Sequence, residues 1–174
     1  MIAARRIAVA GAVIFTLSLT ACGGGDDGGA TIETKVPAAV LARANAICRD
    51  FKRETEQLGQ GALANPPDTT LELTTERLVK PSIPLLESAA RRMQALEPAA
   101  DNSLFSLYAH LFDPAVVLAQ KRLEAGRAEN AFAAKRVEDA LSNLALEQRR
   151  AARIVGLDDC DVDFQAVLLA SLSE

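Results

Sequence analysis

The 174-residue chain has no tryptophan, one tyrosine, one histidine and three cysteines, and aromatic residues make up only 4% of it. So few rings disfavour a β-sandwich, whose pleated faces draw on aromatic and β-branched side chains. Alanine and leucine dominate instead, which suits helices packed closely on one another. A single histidine excludes the paired Glu-x-x-His motifs of a helical di-metal site, and Leu107 rather than an acid stands three residues before His110. His110 reads as a polar residue at a helix edge. Cys-x-x-Cys-His, Gly-x-Ser-x-Gly, Ser-x-x-Lys and His-Glu-x-x-His are all missing, so no catalytic residue is assigned and no cofactor is implied. Glu138 and Asp139 are neighbours in sequence, but side chains one apart on a helix point in different directions.

Basic residues are also in deficit, with Lys+Arg 19 against Asp+Glu 23 and a formal net charge of −4. Removing residues 1–21 takes away Arg5 and Arg6 and no acid, so −4 becomes −6. Nucleic acid is therefore not expected as a partner, since binding there rests on neutralising phosphates. The doublets Arg91-Arg92, Lys135-Arg136 and Arg149-Arg150 sit among acids and read as solvated helix faces.

What is present begins with an address. Arg5 and Arg6 open a start without acids, and an apolar run follows from Ile7 to Leu19, short of the ~20 residues of a membrane span. The run ends Leu19-Thr20-Ala21-Cys22-Gly23. This resembles the lipobox of bacterial lipoproteins. The resemblance implies a signal peptide over residues 1–21, a diacylglyceryl group on the Cys22 thiol, and cleavage before Cys22. It also implies export and anchoring to the outer face of a bacterial membrane, where two acyl chains hold stably and one does not. Residues 22–36, rich in glycine from Gly23 to Gly29, bury no apolar surface and read as a flexible tether.

Residues 37–174 are enough for one domain with its own core. Apolar spacing and punctuation predict four helices and no strand. The first runs from Pro37 to Leu58 and is stopped by Gly59 and Gly61. The second region starts near Thr69, in a capping-box pattern with Glu72, is kinked or broken at Pro81 and Pro84, and ends at Pro98. The third starts at Asp101-Asn102-Ser103, buries Leu104, Leu107, Tyr108 and Leu111, bends or restarts at Asp113-Pro114, and stops at Gly126. The fourth runs from Ala128 to Val155, buries Phe132, Val137, Leu141 and Leu144, and is closed by Gly156. A short tail helix presents Phe164, Val167, Leu168 and Leu172 on one face. Long helices with short connections pack antiparallel, so the expected fold is all-α, an up-down four-helix bundle with a tail helix.

With Cys22 lipidated, Cys48 and Cys160 remain as a pair in an oxidising compartment, which reads as a disulfide. Such a bridge closes a loop of more than a hundred residues, for which chain entropy alone gives roughly 4–5 kcal/mol. Two buried thiols, or a redox or metal pair, are the alternatives. The segments Ala44-Asn45-Ala46-Ile47-Cys48 and Gly156-Leu157-Asp158-Asp159-Cys160 resemble a group of uncharacterised helical lipoproteins from high-GC bacteria. That resemblance implies a disulfide-linked helical bundle and no activity. Asp159, Asp161 and Asp163 open like a calcium loop, but Phe164 and Ala170 occupy the positions where an EF-hand needs glycine and glutamate. A looser calcium site at these three aspartates stands beside the reading of solvated acids around a helix cap.

These readings point to a membrane-tethered, non-catalytic binding or interaction module. Its expected partners are the membrane, through the lipid on Cys22, and either an envelope protein or a small apolar ligand. An enzyme or metal protein with a site assembled between helices, and a structural envelope protein, are the alternatives.

Overall fold

The computed structural model describes residues 35–161, and every regular element in that range is helical. Residues 1–34 and 162–174, with Cys22, Asp163 and the expected tail helix, lie outside the described residues.

Helix α1 spans Ala38–Ala64, entered from Pro37, and buries Val40, Ala44, Ile47, Cys48 and Phe51 on the stripe that the spacing predicts. It does not stop at Gly59 and Gly61 but runs through both. A Cβ at either position would meet nothing within 4 Å. Their cost of about 1 kcal/mol each against alanine is offset because the buried face continues through Thr55, Gly59 and Ala62.

The Thr69 cap forms as expected, its hydroxyl oxygen accepting from the Glu72 amide at 3.1 Å. Helix α2, Thr70–Glu72, passes directly into a π-helical stretch, Leu73–Val79, and then into α3, Lys80–Gln94. The Lys80 amide donates to the Thr75 carbonyl, five residues back. The irregularity therefore precedes the prolines instead of falling on them, and α3 continues through Pro84. A proline ring crowds the carbonyl four residues before it. A wider turn ahead of Pro81 moves those carbonyls aside without a break. Pro98 does not merely end the region; it lies in a short helix of its own, α4, Glu97–Ala100, after which Asp101 turns left-handed at φ 44°.

Asn102 caps α5, Ser103–His110, accepting from the Leu104 and Phe105 amides at 2.9 and 3.0 Å. The chain restarts after Leu111 as α6, Phe112–Arg127, with Pro114 in its first turn. The inward face is one residue round from the expected one. Phe105, Tyr108, Ala109 and Phe112 are buried, while Leu104 is exposed and Leu107 is 60% exposed. Both sets fit helical spacing, and the aromatic set wins by filling more of the core. Helix α7, Ala131–Val155, buries Leu141, Leu144 and Gln148, and Gly156 closes it at φ 86° by donating to the Ala152 and Arg153 carbonyls. Phe132 is not buried as expected; it is 74% exposed beside Arg136.

Register follows from side-chain pairs. Arg122 meets Glu138 while the Leu111 carbonyl accepts from Gln148, so α6 and α7 run oppositely. Gln94 meets Asp113 while Glu76 meets Arg127, so the π stretch and α3 oppose α6 in the same way. Asp50 on α1 pairs with Arg92 on α3 at 2.8 Å. Among the described residues, α1 and α7 are not an extensively packed pair; a 3-10 turn, Asp158–Cys160, packs against both. That turn carries the Cys48–Cys160 disulfide, with Cα atoms 5.1 Å apart. Beneath it the buried Tyr108 hydroxyl donates to Cys48 Sγ at 3.6 Å, and the ring meets Phe112 edge-on at 5.9 Å between centroids. Burial pushes the Tyr108 phenol above its ordinary range.

Two expectations follow. Replacing both Cys48 and Cys160 by alanine should lower unfolding stability by about 2–5 kcal/mol, read from the urea midpoint of oxidised protein; an unchanged midpoint would mean the bridge constrains nothing. Gly59→Ala and Gly61→Ala should be neutral or stabilising by up to ~1 kcal/mol, because a methyl group has room there and helix propensity favours it.

Candidate functional site

At the end of the fold where α6 turns into α7, four features meet. The first is a close approach. Gly126 does not end α6; it lies inside it, buried against Thr75 of the π stretch. A Cβ there would stand 2.3 Å from Thr75 Oγ1 and 2.8 Å from its Cγ2. Only glycine allows this contact, which is why the sequence signal for a stop marks a packing position instead. The reversal falls to Glu129, at φ 51°, and Asn130 then caps α7 by accepting from the Ala133 amide at 3.0 Å.

The second feature is a partly buried ion pair. Arg122 Nε donates to Glu138 Oε1 at 2.9 Å, and the arginine side chain is 11% exposed. The third is a pair of buried polar atoms that no protein group satisfies, Thr75 Oγ1 and Arg122 Nη1. Thr75 is 3% exposed, and a buried polar group without a partner costs about 1–3 kcal/mol. The fourth is an open pocket of about 430 Å³ between α2, α6 and α7, within the roughly 300–1,000 Å³ usual for small-molecule sites. Leu71, Ala125, Gly126 and Ala134 give it apolar walls, with Arg122 and Glu138 as its charged groups and Glu129, Asn130 and Lys135 on the exposed side.

Around the cavity several charges are tied. Lys135 pairs with Asp139 at 2.5 Å. Glu76, in the π stretch, accepts from Arg127 Nε at 2.7 Å and from Lys80 Nζ at 2.9 Å, and these two cations hold its carboxyl down at about 2. Chemically this arrangement can bind and orient. By contrast, the space under the disulfide among Ile47, Phe51, Tyr108 and Gln148 has no room for a water molecule, although Gln148 Oε1 is buried there without a partner.

The residues singled out from sequence fall elsewhere. Cys48 and Cys160 are joined. Asp159 pairs with Arg49 and takes its backbone anchor from Asn45 Oδ1, which accepts from the Asp159 amide at 3.0 Å. Asp161 faces Arg149 at 3.6 Å and Arg153 at 3.9 Å. The two aspartates are thus turned to arginines, and Asp163 and Cys22 lie outside the described residues. Among those residues no three ligating side chains gather as a metal site. Arg122 and Thr75 carried no motif, Gly126 read only as a helix stop, and Glu138 was visible only as the neighbour of Asp139. The one available signal was negative: an arginine on a helix face otherwise made of Ala115, Ala119 and Gly126.

His110 forms a separate exposed cluster joining four helices. Its Nδ1 lies 3.0 Å from Asp113 Oδ2 and its Nε2 3.3 Å from Glu97 Oε1, with the Gln94 amide nitrogen at 3.4 Å. Ser106 donates to Glu97 at 2.5 Å and not to the imidazole, so the group is not arranged as a nucleophile and its base. The Asp113 hydrogen bond and then the Glu97 charge raise the His110 pKa above its ordinary 6.5. A raised folded-state pKa makes its contribution to stability complete below 6.5 and lost as pH rises through the folded value. Between pH 6 and pH 9 the wild-type urea midpoint should therefore fall more than that of His110→Gln. Parallel curves would remove the histidine from the account.

No protein family, curated protein or solved structure matches this chain.

Proposed function

We propose that this chain is an exported lipoprotein whose helical domain is a non-catalytic binding module for a small ligand. The observation that carries the binding role is the open pocket of about 430 Å³ between α2, α6 and α7, with the paired Arg122 and Glu138 in its wall. Apolar wall residues with a few placed polar groups are the usual make-up of a small-molecule site. A scaffold of packed helices holds such groups more rigidly than a loop would.

Export and lipidation rest on the charged start at Arg5-Arg6, the apolar run Ile7–Leu19 and the Leu19-Thr20-Ala21-Cys22 motif. The Cys48–Cys160 disulfide supports them, because such bridges persist in oxidising compartments. No described helix is long and apolar enough to cross a membrane; in this reading attachment comes from the acyl chains on Cys22. We read α1, α3, α6 and α7 as the four long members of an up-down bundle, with α5 extending α6. The opposed registers of α3 with α6 and of α6 with α7 support that order.

Native mass spectrometry of the full-length protein, extracted gently from its own membranes without reductant, tests the whole reading. The expected mass is that of residues 22–174 plus a diacylglyceryl group, minus two hydrogens, with a small-molecule increment lost on collisional activation. An unmodified Cys22 would overturn the lipoprotein assignment. A lipidated protein that carries no increment and takes up none from a small-molecule extract of its source cells would overturn the binding role.

A further inference from the structure

The pole of the domain opposite the pocket carries exposed aliphatic side chains. On α5, Ser106 and His110 turn to Glu97, on the side of α3 and α4. Helical spacing puts Leu104, Leu107 and Leu111 on the other flank, where α5 packs on α7. On α7, Arg149 and Arg153 turn to Asp161, which leaves Ala151 and Ile154 on the flank toward α5. The Leu111 carbonyl meets Gln148, and α5 leads into α6, which runs opposite to α7. A rise of about 1.5 Å per residue then sets Leu104 level with the last turn of α7. The two flanks form one patch. Leu111 and Ala151 are half-buried in it, whereas Leu104, Leu107 and Ile154 are 49%, 60% and 69% exposed. Grouped apolar exposure marks an interaction surface.

The chain enters the domain at the same pole. A Cβ on Gly156, which closes α7, would stand 3.9 Å from Leu41 Cδ1, so the start of α1 and the end of α7 are neighbours. Val36 stands 14 residues after Cys22, and a glycine-rich linker of that length reaches about 20 Å root-mean-square. Three aliphatic side chains are too few to hold a free protein on lipid. A tether makes docking an intramolecular step, at an effective concentration on the order of millimolar, so a small patch suffices. Glu147 and Arg150 precede Ile154 on α7, a rim of mixed sign, so contact rests on apolar insertion and not on attraction to anionic headgroups. We infer that this pole docks on the bilayer, with Leu104, Leu107 and Ile154 set into the headgroup boundary. This rests on the lipoprotein reading above and adds an orientation to it. The pocket, lined by Ala131 and Ala134, lies about 30 Å away along the axis of α7 and opens away from the membrane.

The sequence has no tryptophan, so one introduced at an exposed apolar position is an unambiguous fluorescent reporter. Full-length Leu107→Trp, Ile154→Trp and Phe132→Trp proteins are made in the source cells and reconstituted into phosphatidylcholine vesicles. The acyl chains are either plain or brominated near the headgroup, and the mass of Cys22 is read on the same samples. Phe132, 74% exposed at the pocket end, controls for the affinity of tryptophan itself for lipid. Brominated lipid should quench Leu107→Trp and Ile154→Trp by about twofold or more and leave Phe132→Trp unchanged. Should Ile154→Trp fail to fold, Leu104→Trp reports from the same patch. With Cys22 lipidated, quenching that is absent at the patch, or equal at Phe132, would overturn the docking and leave the lipoprotein reading standing. A blue-shifted patch emission that brominated lipid does not quench would mean that protein covers the patch, residues 162–174 or a second copy, and would overturn it too. An unmodified Cys22 would overturn both.

Discussion

The disulfide between Cys48 and Cys160, together with the tyrosine under it, sets the positions of the long helices. Cys48 belongs to the middle of α1, and Cys160 to the turn that follows α7. Because α1 and α7 share little direct packing, that turn supplies much of what joins the first long helix to the last. Tyr108 fills the space below the sulfur atoms, Phe112 packs edge-on against it, and the Gln148 amide donates to the Leu111 carbonyl at 3.2 Å. One cluster thus locates the α5–α6 joint, the middle of α7 and the inward face of α1. The Asn45–Asp159 hydrogen bond and the Arg49–Asp159 ion pair reinforce it from outside.

At the opposite end the packing rule changes. There the π stretch approaches α6 so closely that only a hydrogen fits between Gly126 and Thr75. The approach leaves the threonine hydroxyl oxygen without a partner, and the neighbouring arginine keeps one nitrogen unused. A fold selected for stability alone would replace the Arg122–Glu138 pair and Thr75 with apolar residues of similar size, a change that is often neutral or favourable. Keeping these polar groups beside a cavity is what directs attention to this end of the molecule.

The sequence was legible where one residue type has one local use. The Thr69 cap, the Asn102 cap and the left-handed Gly156 were all readable, as was the pairing of the two remaining cysteines. It misled where one residue type has two uses. Gly59, Gly61 and Gly126 all read as stops; two are simply tolerated inside a helix, and the third is a contact point. Leu104 and Leu107 competed with Phe105 and Phe112 for the same period, and nothing local decides between stripes one residue apart. The prolines announced an irregularity, but not that a π-helical stretch upstream would absorb it. The candidate site was the least legible part, because Arg122, Glu138, Thr75 and Gly126 come from three segments and acquire meaning only when the helices are laid side by side.

The placement of the crosslink grades the rigidity of the domain along its length. Around Cys48, Tyr108 and Gln148 the chain is covalently closed and densely filled, so amide hydrogens there should be among the slowest to exchange. Around Glu129 and Asn130 the helices are joined by a three-residue turn and packed through small buried residues, Ala125, Gly126 and Ala134. Among the described residues no covalent link closes that end. The pocket thus lies away from the covalent closure, at the end where the chain reverses between α6 and α7.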